Sequence, residues 1–237
     1  MKMNYFKFIP MLIILPFYSS ADKVDIKMSS ITLSQSRVIF HASDSHGVQF
    51  SISNQNDNPY LVQTKVTTLD GKKSKTYITT PPLFRLDGKE QTSIKVVKIG
   101  REPANEESME LICVKPIPPK ENKDNKTMVN VVINSCIKLI YRPSDVPRPT
   151  RDNYFKSIKW SIVNKELYVT NDSPNYLNLN KVIYAGKNLP VTYIPPHKAK
   201  SLGRVSQDNS KTVIWDYIDD FGEIGQTLES LVDSYGV

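Results

Sequence analysis

Asp44, Ser45 and His46 are the three residue types of a hydrolytic triad, and they are consecutive. Adjacent residues in a strand or turn point apart, so adjacency does not assemble a triad. No GxSxG nucleophile elbow accompanies them. Asp219 and Asp220 make a carboxylate pair, but neighbours on a strand occupy opposite faces and neighbours in a turn splay apart. Metal chemistry finds no CxxC and no HExxH, only His41, His46 and His197, so neither a metal nor a cofactor is called for. There is no glycine-rich phosphate loop. The formal charge is +7, of which Lys2 and Lys7 in the first 21 residues supply two, leaving 7 − 2 = +5. No Lys/Arg-rich tract tracks a phosphate backbone, so nucleic acid is not an indicated partner. At each of these places the plain structural reading outweighs the catalytic one, and the expectation is that the chain is not an enzyme.

Cys113 and Cys136 are the only cysteines. Their state depends on the compartment, and the N-terminus speaks to that. Lys2 and Lys7 precede the mostly apolar run Phe8 to Phe17, and Ser19-Ser20-Ala21 supplies small residues at a cleavage position. Residues 1–21 therefore read as a signal peptide. The alternative, a short membrane anchor, needs an apolar run of about 20 residues that is not there. No later stretch is long and apolar enough to span a bilayer, so the mature chain is expected to be exported and not membrane-embedded. In an oxidising compartment the two cysteines are expected to form a disulfide, the alternative being two buried free thiols.

The elements that would position these groups are almost all strands. Val48 to Ser53 alternates with period two and ends at the polar cluster Asn54 to Pro59. Tyr60 to Thr67 resumes β-formers, Thr92 to Ile99 alternates again, and Met109 to Val114 is a short strand. Met128 to Tyr141 reads as one long strand dense in Val and Ile. Lys115 to Lys126, with three prolines and four lysines, reads as a solvated loop. Ser144 to Pro149 is polar and proline-rich, which suits a linker over 144–151. Beyond it, Ile158–Val163, Leu167–Thr170, Tyr176–Tyr184, Leu189–Ile194 and Thr212–Ile218 read as closely spaced strands. Thr227 to Tyr235 is a strand or a short helix by its pattern. The fold class is all-β: two sandwiches, one over 22–143 and one over 152–237. An ordinary antibody-like domain would place a Trp between its cysteines, whereas Trp160 and Trp215 both follow Cys136.

One segment is unusual. Val129, Val131, Ile133 and Ile137 form a nearly continuous apolar face, whose default role is the core, and the run continues into Lys138-Leu139-Ile140-Tyr141-Arg142-Pro143 just before the linker. Ile137 to Pro143 resembles the signature of the periplasmic pilus chaperones. Ser36-Arg37-Val38-Ile39-Phe40 resembles the family's first-strand motif. Pro59 to Gln63, Thr80 to Leu86, Glu107-Ser108 with Ile117-Pro118-Pro119, and Tyr217 to Gly222 resemble its later blocks in order. Six blocks in sequence cover nearly the whole mature chain.

The resemblance implies two immunoglobulin-like sandwiches in a boomerang arrangement. It implies a periplasmic chaperone that holds fimbrial or surface-fibre subunits by donor-strand complementation and passes them to an outer-membrane usher. By the same resemblance, Arg37 and Lys138 anchor the subunit's C-terminal carboxylate, and Val129, Val131, Ile133 and Ile137 are the lent apolar face. Glu107, Arg142 and Asp220 match an interdomain salt-bridge network, and Thr80-Pro81 matches a cis peptide bond. The Cys113/Cys136 pair, the intervening Pro/Lys loop and the alternation Val24, Ile26, Met28 resemble the long-loop subgroup. Strict alternation sets Lys138 on the opposite face from Val129 and Ile133, so either a bulge intervenes or both faces are used. An apolar edge of this kind is a self-association hazard in the free form. The competing reading is a secreted two-domain Ig-like adhesin or binding module, which has no reason to gather Arg37, Lys138 and Arg142 at one cleft.

Overall fold

In the computed structural model the described residues are 25–28, 31–119, 128–206 and 210–234, those at 25–28, 128–130 and 234 by backbone alone. The signal-peptide reading of residues 1–21, Val24, and most of the Pro/Lys loop lie outside them. Among the described residues no helix is long and apolar enough to cross a membrane.

Two separate hydrophobic cores organise the chain. The first lies between a five-stranded and a four-stranded sheet. In spatial order the larger runs Arg37–His41, Ser135–Arg142, Ser108–Ile117, Tyr60–Thr67 and Leu83–Leu86; the smaller runs Ile31–Leu33, Val48–Asn54, Gln91–Lys98 and Tyr77–Thr80. Alternation does what period two requires: Tyr60, Val62, Thr64 and Val66 point inward while Leu61, Gln63 and Lys65 face out. The N-terminal segment changes sheets, because Ile31–Leu33 pairs with Val48–Asn54 whereas Arg37–His41 pairs, in parallel, with Ser135–Arg142. The peptide bond Thr80–Pro81 is cis.

The second sandwich packs Trp160 against Trp215 at 5.8 Å and Tyr154 edge-on to Tyr217 at 4.6 Å. Both tryptophans are buried, and large aromatic area of this kind dominates a core. The strand Leu228–Ser234 resolves the ambiguity of its sequence. Its first half pairs with Thr212–Tyr217 and its second half with Ile158–Val163, so it stitches these strands into one continuous eight-stranded sheet.

Three expectations need correction. The long strand Met128–Tyr141 is two strands, Met128–Val131 and Ser135–Arg142, because its halves choose different partners. The first pairs in parallel with Asp25–Met28, forming a two-stranded ribbon, and the second joins the five-stranded sheet. Lys115, Pro116 and Ile117 belong to a strand rather than to the loop, since they pair with Gln63, Val62 and Leu61. The stretch read as a linker ends in a helix, Arg151–Ser157, capped by the Thr150 hydroxyl, which accepts from the Asn153 N–H.

Candidate functional site: a basic cleft between the sandwiches

Arg37 and Lys138 are register partners on adjacent parallel strands, so their side chains leave the sheet together. Both reach the second sandwich. The Arg37 guanidinium donates to the Ile218 carbonyl at 3.2 Å, and the Lys138 ammonium donates to Asn178 Oδ1 at 2.5 Å. The two acceptors are themselves linked, because the Ile218 N–H donates to the Asn178 carbonyl at 2.8 Å. Lys138 Nζ also lies 5.7 Å from the centre of the Tyr193 ring.

Among the described residues neither cation forms an ion pair, and Arg37 Nε is buried without a hydrogen-bond partner. Burial lowers the Arg37 pKa, against the opposing pull of Asp219. Burial, with the like charge of Arg37 beside it, brings the Lys138 pKa down to about 8. Two adjacent, partly desolvated cations without an ion-pair partner among the described residues favour an incoming anion, and a carboxylate offers acceptors to both.

Next along the same strand, Arg142 is almost fully buried and neutralised. Its Nε donates to Glu107 Oε1 at 2.6 Å, and its two terminal nitrogens donate to the two Asp220 oxygens at 2.7 and 2.8 Å. Burial works against the Arg142 charge, but the Asp220 and Glu107 carboxylates outweigh it and raise the pKa. Glu107 also accepts from Asn175 Nδ2 at 3.1 Å and from the Tyr176 N–H at 2.6 Å, and Arg148 approaches Asp220 at 3.3 Å. Arg142 and Glu107 come from the first sandwich, and Asp220, Asn175 and Tyr176 from the second, so this network spans the elbow.

Gly222, in the turn beyond Asp220, has φ +86°, and a Cβ there would stand 2.3 Å from Ser36 Oγ. Only glycine allows that turn to lie so close to the first sandwich. Asp219 closes the turn by accepting from the N–H groups of Phe221 and Glu223, so the adjacent carboxylates have separate structural tasks.

The apolar segment behaves differently at its two ends. Val131, Val132 and Ile133 are exposed, at 38, 38 and 43%. The backbone of Val129 pairs with Ile26 in the ribbon. Ile137, expected on the same exposed face, is a core residue at 9% exposure. Alternation does not carry across residues 132–134, where the chain leaves one partner for another, and beyond them Ile137 lies opposite Ile112 on the inner face. The same break accounts for Lys138, which points away from that core on the cleft side. Cys113 and Cys136 sit directly opposite each other across this antiparallel pair and are joined by a disulfide.

Asp44 accepts from the His41 N–H within a turn, and His46 is exposed, so the apparent triad is a loop cap. Among the described residues no group of three or more His, Cys, Asp or Glu side chains is arranged to hold a metal. Sequence reasoning missed Asn178, Asn175, Tyr176 and Arg148. The asparagines sit in ordinary turn or strand contexts, and only interdomain docking gives them their roles.

Comparison with known proteins agrees with this arrangement. Residues 30–147 match the N-terminal domain of the PapD pili and flagellar-assembly chaperones, and residues 153–228 match the C-terminal domain of the PapD pili assembly chaperones. The Yersinia pestis chaperone protein caf1M is 33% identical over 205 residues, 77% of this chain and 79% of its own. The crystal structure of the E. coli chaperone DraB aligns with a TM-score of 0.77 at 31% identity, covering 89% of this chain and 100% of its own. A structure of the Salmonella enterica SafA pilin in complex with the SafB chaperone gives 0.79 at 31%, covering 86% of this chain and 97% of the matched chain. Two matched domains in order, over a fold of two sandwiches meeting at a cleft, establish that this chain belongs to the pilus-assembly chaperone family.

Proposed function

We propose that the chain captures incomplete fibre subunits by donor-strand complementation and hands them to an outer-membrane usher. The observation that carries this reading is the pair Arg37 and Lys138, two unneutralised cations at the head of a segment whose apolar side chains are exposed. A subunit lacking its last strand exposes an apolar groove and unpaired backbone edges. The subunit's C-terminal carboxylate seats on Arg37 and Lys138. From that fixed point the segment through Ile133, Val131 and Val129 lies along the groove. Carboxylate contacts set the register, and apolar side chains entering pockets supply affinity.

Arg142, Glu107 and Asp220 hold the elbow so that the cleft keeps its shape. The working compartment is the periplasm, after removal of residues 1–21, with domain limits at 22–143 and 152–237 around a linker at 144–151. The role is non-catalytic and uses no cofactor. Family membership, with the cationic cleft, weighs against the adhesin reading.

The test is co-expression with a fibre subunit of the family. Lys138→Ala should leave a folded chaperone that no longer recovers the subunit in a complex. A Lys138→Ala protein that protects the subunit as well as the parent chain would remove the anchor from the mechanism.

A further inference from the structure

Domain two contributes more to the cleft than a wall. Each anchor cation comes from the first sandwich, yet each is held by an acceptor from the second: the Ile218 carbonyl for Arg37 and the Asn178 side chain for Lys138. Asn178 is itself buried at 3% exposure, and its carbonyl is fixed by the Ile218 N–H. Its backbone cannot drift without breaking the pairing that also places the Arg37 acceptor. We propose that Asn178 is a positioning residue that aims the Lys138 ammonium at the subunit's carboxylate, so that the anchor is assembled jointly by both sandwiches. This rests on the reading of Arg37 and Lys138 given above.

The chemistry is specific to an amide. An ammonium has three N–H donors; Asn178 Oδ1 occupies one and leaves two for an incoming carboxylate. A neutral acceptor holds Lys138 without neutralising it, whereas an aspartate in the same place would form an internal ion pair and compete with the ligand. The ionisable groups facing Lys138 are Arg37 on the neighbouring strand and the Tyr193 ring, with Lys200 5.1 Å from that ring, while Asp219 and Asp220 act on Arg37. Neither carboxylate forms an ion pair with Lys138. The Asn178 oxygen, 2.5 Å from the ammonium, is therefore the polar group holding the charged form at close range, and its removal should lower the Lys138 pKa further.

The probe is a synthetic peptide of alternating valine and threonine with a free C-terminal carboxylate, compared with its C-terminal amide and titrated by calorimetry across pH 6 to 9. Asn178→Leu should weaken the carboxylate peptide by roughly 10-fold or more, a charge-assisted hydrogen bond's worth, and leave the amide peptide unchanged. It should also shift the alkaline limb of binding to lower pH. Asn178→Asp, which keeps the size and polarity of the site, should weaken the carboxylate peptide at least as much and shift the limb to higher pH. Opposite pH shifts from two substitutions are not produced by general loosening of the cleft. Thermal melts identify a variant that does not fold, and Asn178→Asp then decides the matter alone. Parent-like affinity and pH profile in folded Asn178→Asp would overturn the proposal. Lys138→Ala is the control. If it too binds the carboxylate peptide normally, the anchor reading fails; if it alone loses binding, only the role of Asn178 fails.

Discussion

Arg142→Ala removes the hub of the elbow and strands two carboxylates. Glu107 and Asp220 have side-chain exposures of 2 and 15%, so little water can replace the lost guanidinium. Breaking a buried ion pair by deleting one partner costs about 3–5 kcal/mol, chiefly because the remaining charge is uncompensated. The structure places the cost at the lower end of that range. Glu107 keeps hydrogen bonds from Asn175 and Tyr176, and Asp220 keeps Arg148 at 3.3 Å. About 3 kcal/mol is expected, which for a chain of this size lowers the melting temperature by roughly 6–12 °C if both sandwiches melt together. Calorimetry and urea titration give the stability, and small-angle scattering gives the spread between the sandwiches, which should widen. The triple variant Arg142→Met, Glu107→Gln, Asp220→Asn should recover much of the loss, because it leaves no buried unpaired charge and releases only the exposed Arg148. A loss under about 1 kcal/mol for Arg142→Ala, the value of an exposed pair, would refute the argument. It would mean that the elbow is open and hydrated in solution.

Other expectations follow from the same geometry. Binding of a free-carboxylate peptide should weaken as pH rises through about 8, because Lys138 then loses the proton that the ligand requires; calorimetry at constant salt reads this, and a flat profile to pH 10 would contradict it. Because burial depresses this cation's pKa, Lys138 should contribute stability that grows between pH 8 and the ordinary lysine range, read in urea titrations as a widening difference from Lys138→Ala over that window. Val131→Asp with Ile133→Asp should leave the melting curve nearly unchanged and abolish subunit protection, whereas Ile137→Asp should unfold the first sandwich, since that side chain is core. Cys136→Ala opens a closure across a sequence separation of 23 and should cost about 3–3.5 kcal/mol in denaturant, with no free thiol titratable in the parent protein.

Much of the first sandwich was legible because its strands obey period two over long stretches, as Val48 to Ser53 and Tyr60 to Val66 do. The break at residues 132–134 was not, because Val132 and Ile133 are good strand formers and the interruption comes from a change of partner, a long-range event without a local signature. The helix at Arg151–Ser157 left a local trace in Thr150 followed by Asn153, but seven residues are too few for helical periodicity to emerge. The cationic members of the cleft could be read from motif resemblance. Asn178 could not, because Leu177-Asn178-Leu179-Asn180 looks like an alternating strand with its asparagines in water. Docking of the other sandwich buries Asn178 and leaves Asn180 half-exposed.

The pairing of Arg37–His41 with Ser135–Arg142, and the stitching strand Leu228–Ser234, impose an order on synthesis. In each sandwich a strand near its beginning pairs in parallel with a strand at its end, so neither can close until its final segment has been made. The first sandwich needs residue 142 and the second needs residues up to 234. Contacts of such long sequence separation form slowly, and domains commonly fold as units from the N-terminus onward. The first sandwich can therefore close while the second is still being made. The network around Arg142 comes last, because Asp220 arrives with the second sandwich. A nascent chain holding only the first sandwich would carry Arg37 and Lys138 but lack the Ile218 and Asn178 acceptors that hold them, so the cleft is not assembled until the second sandwich has folded.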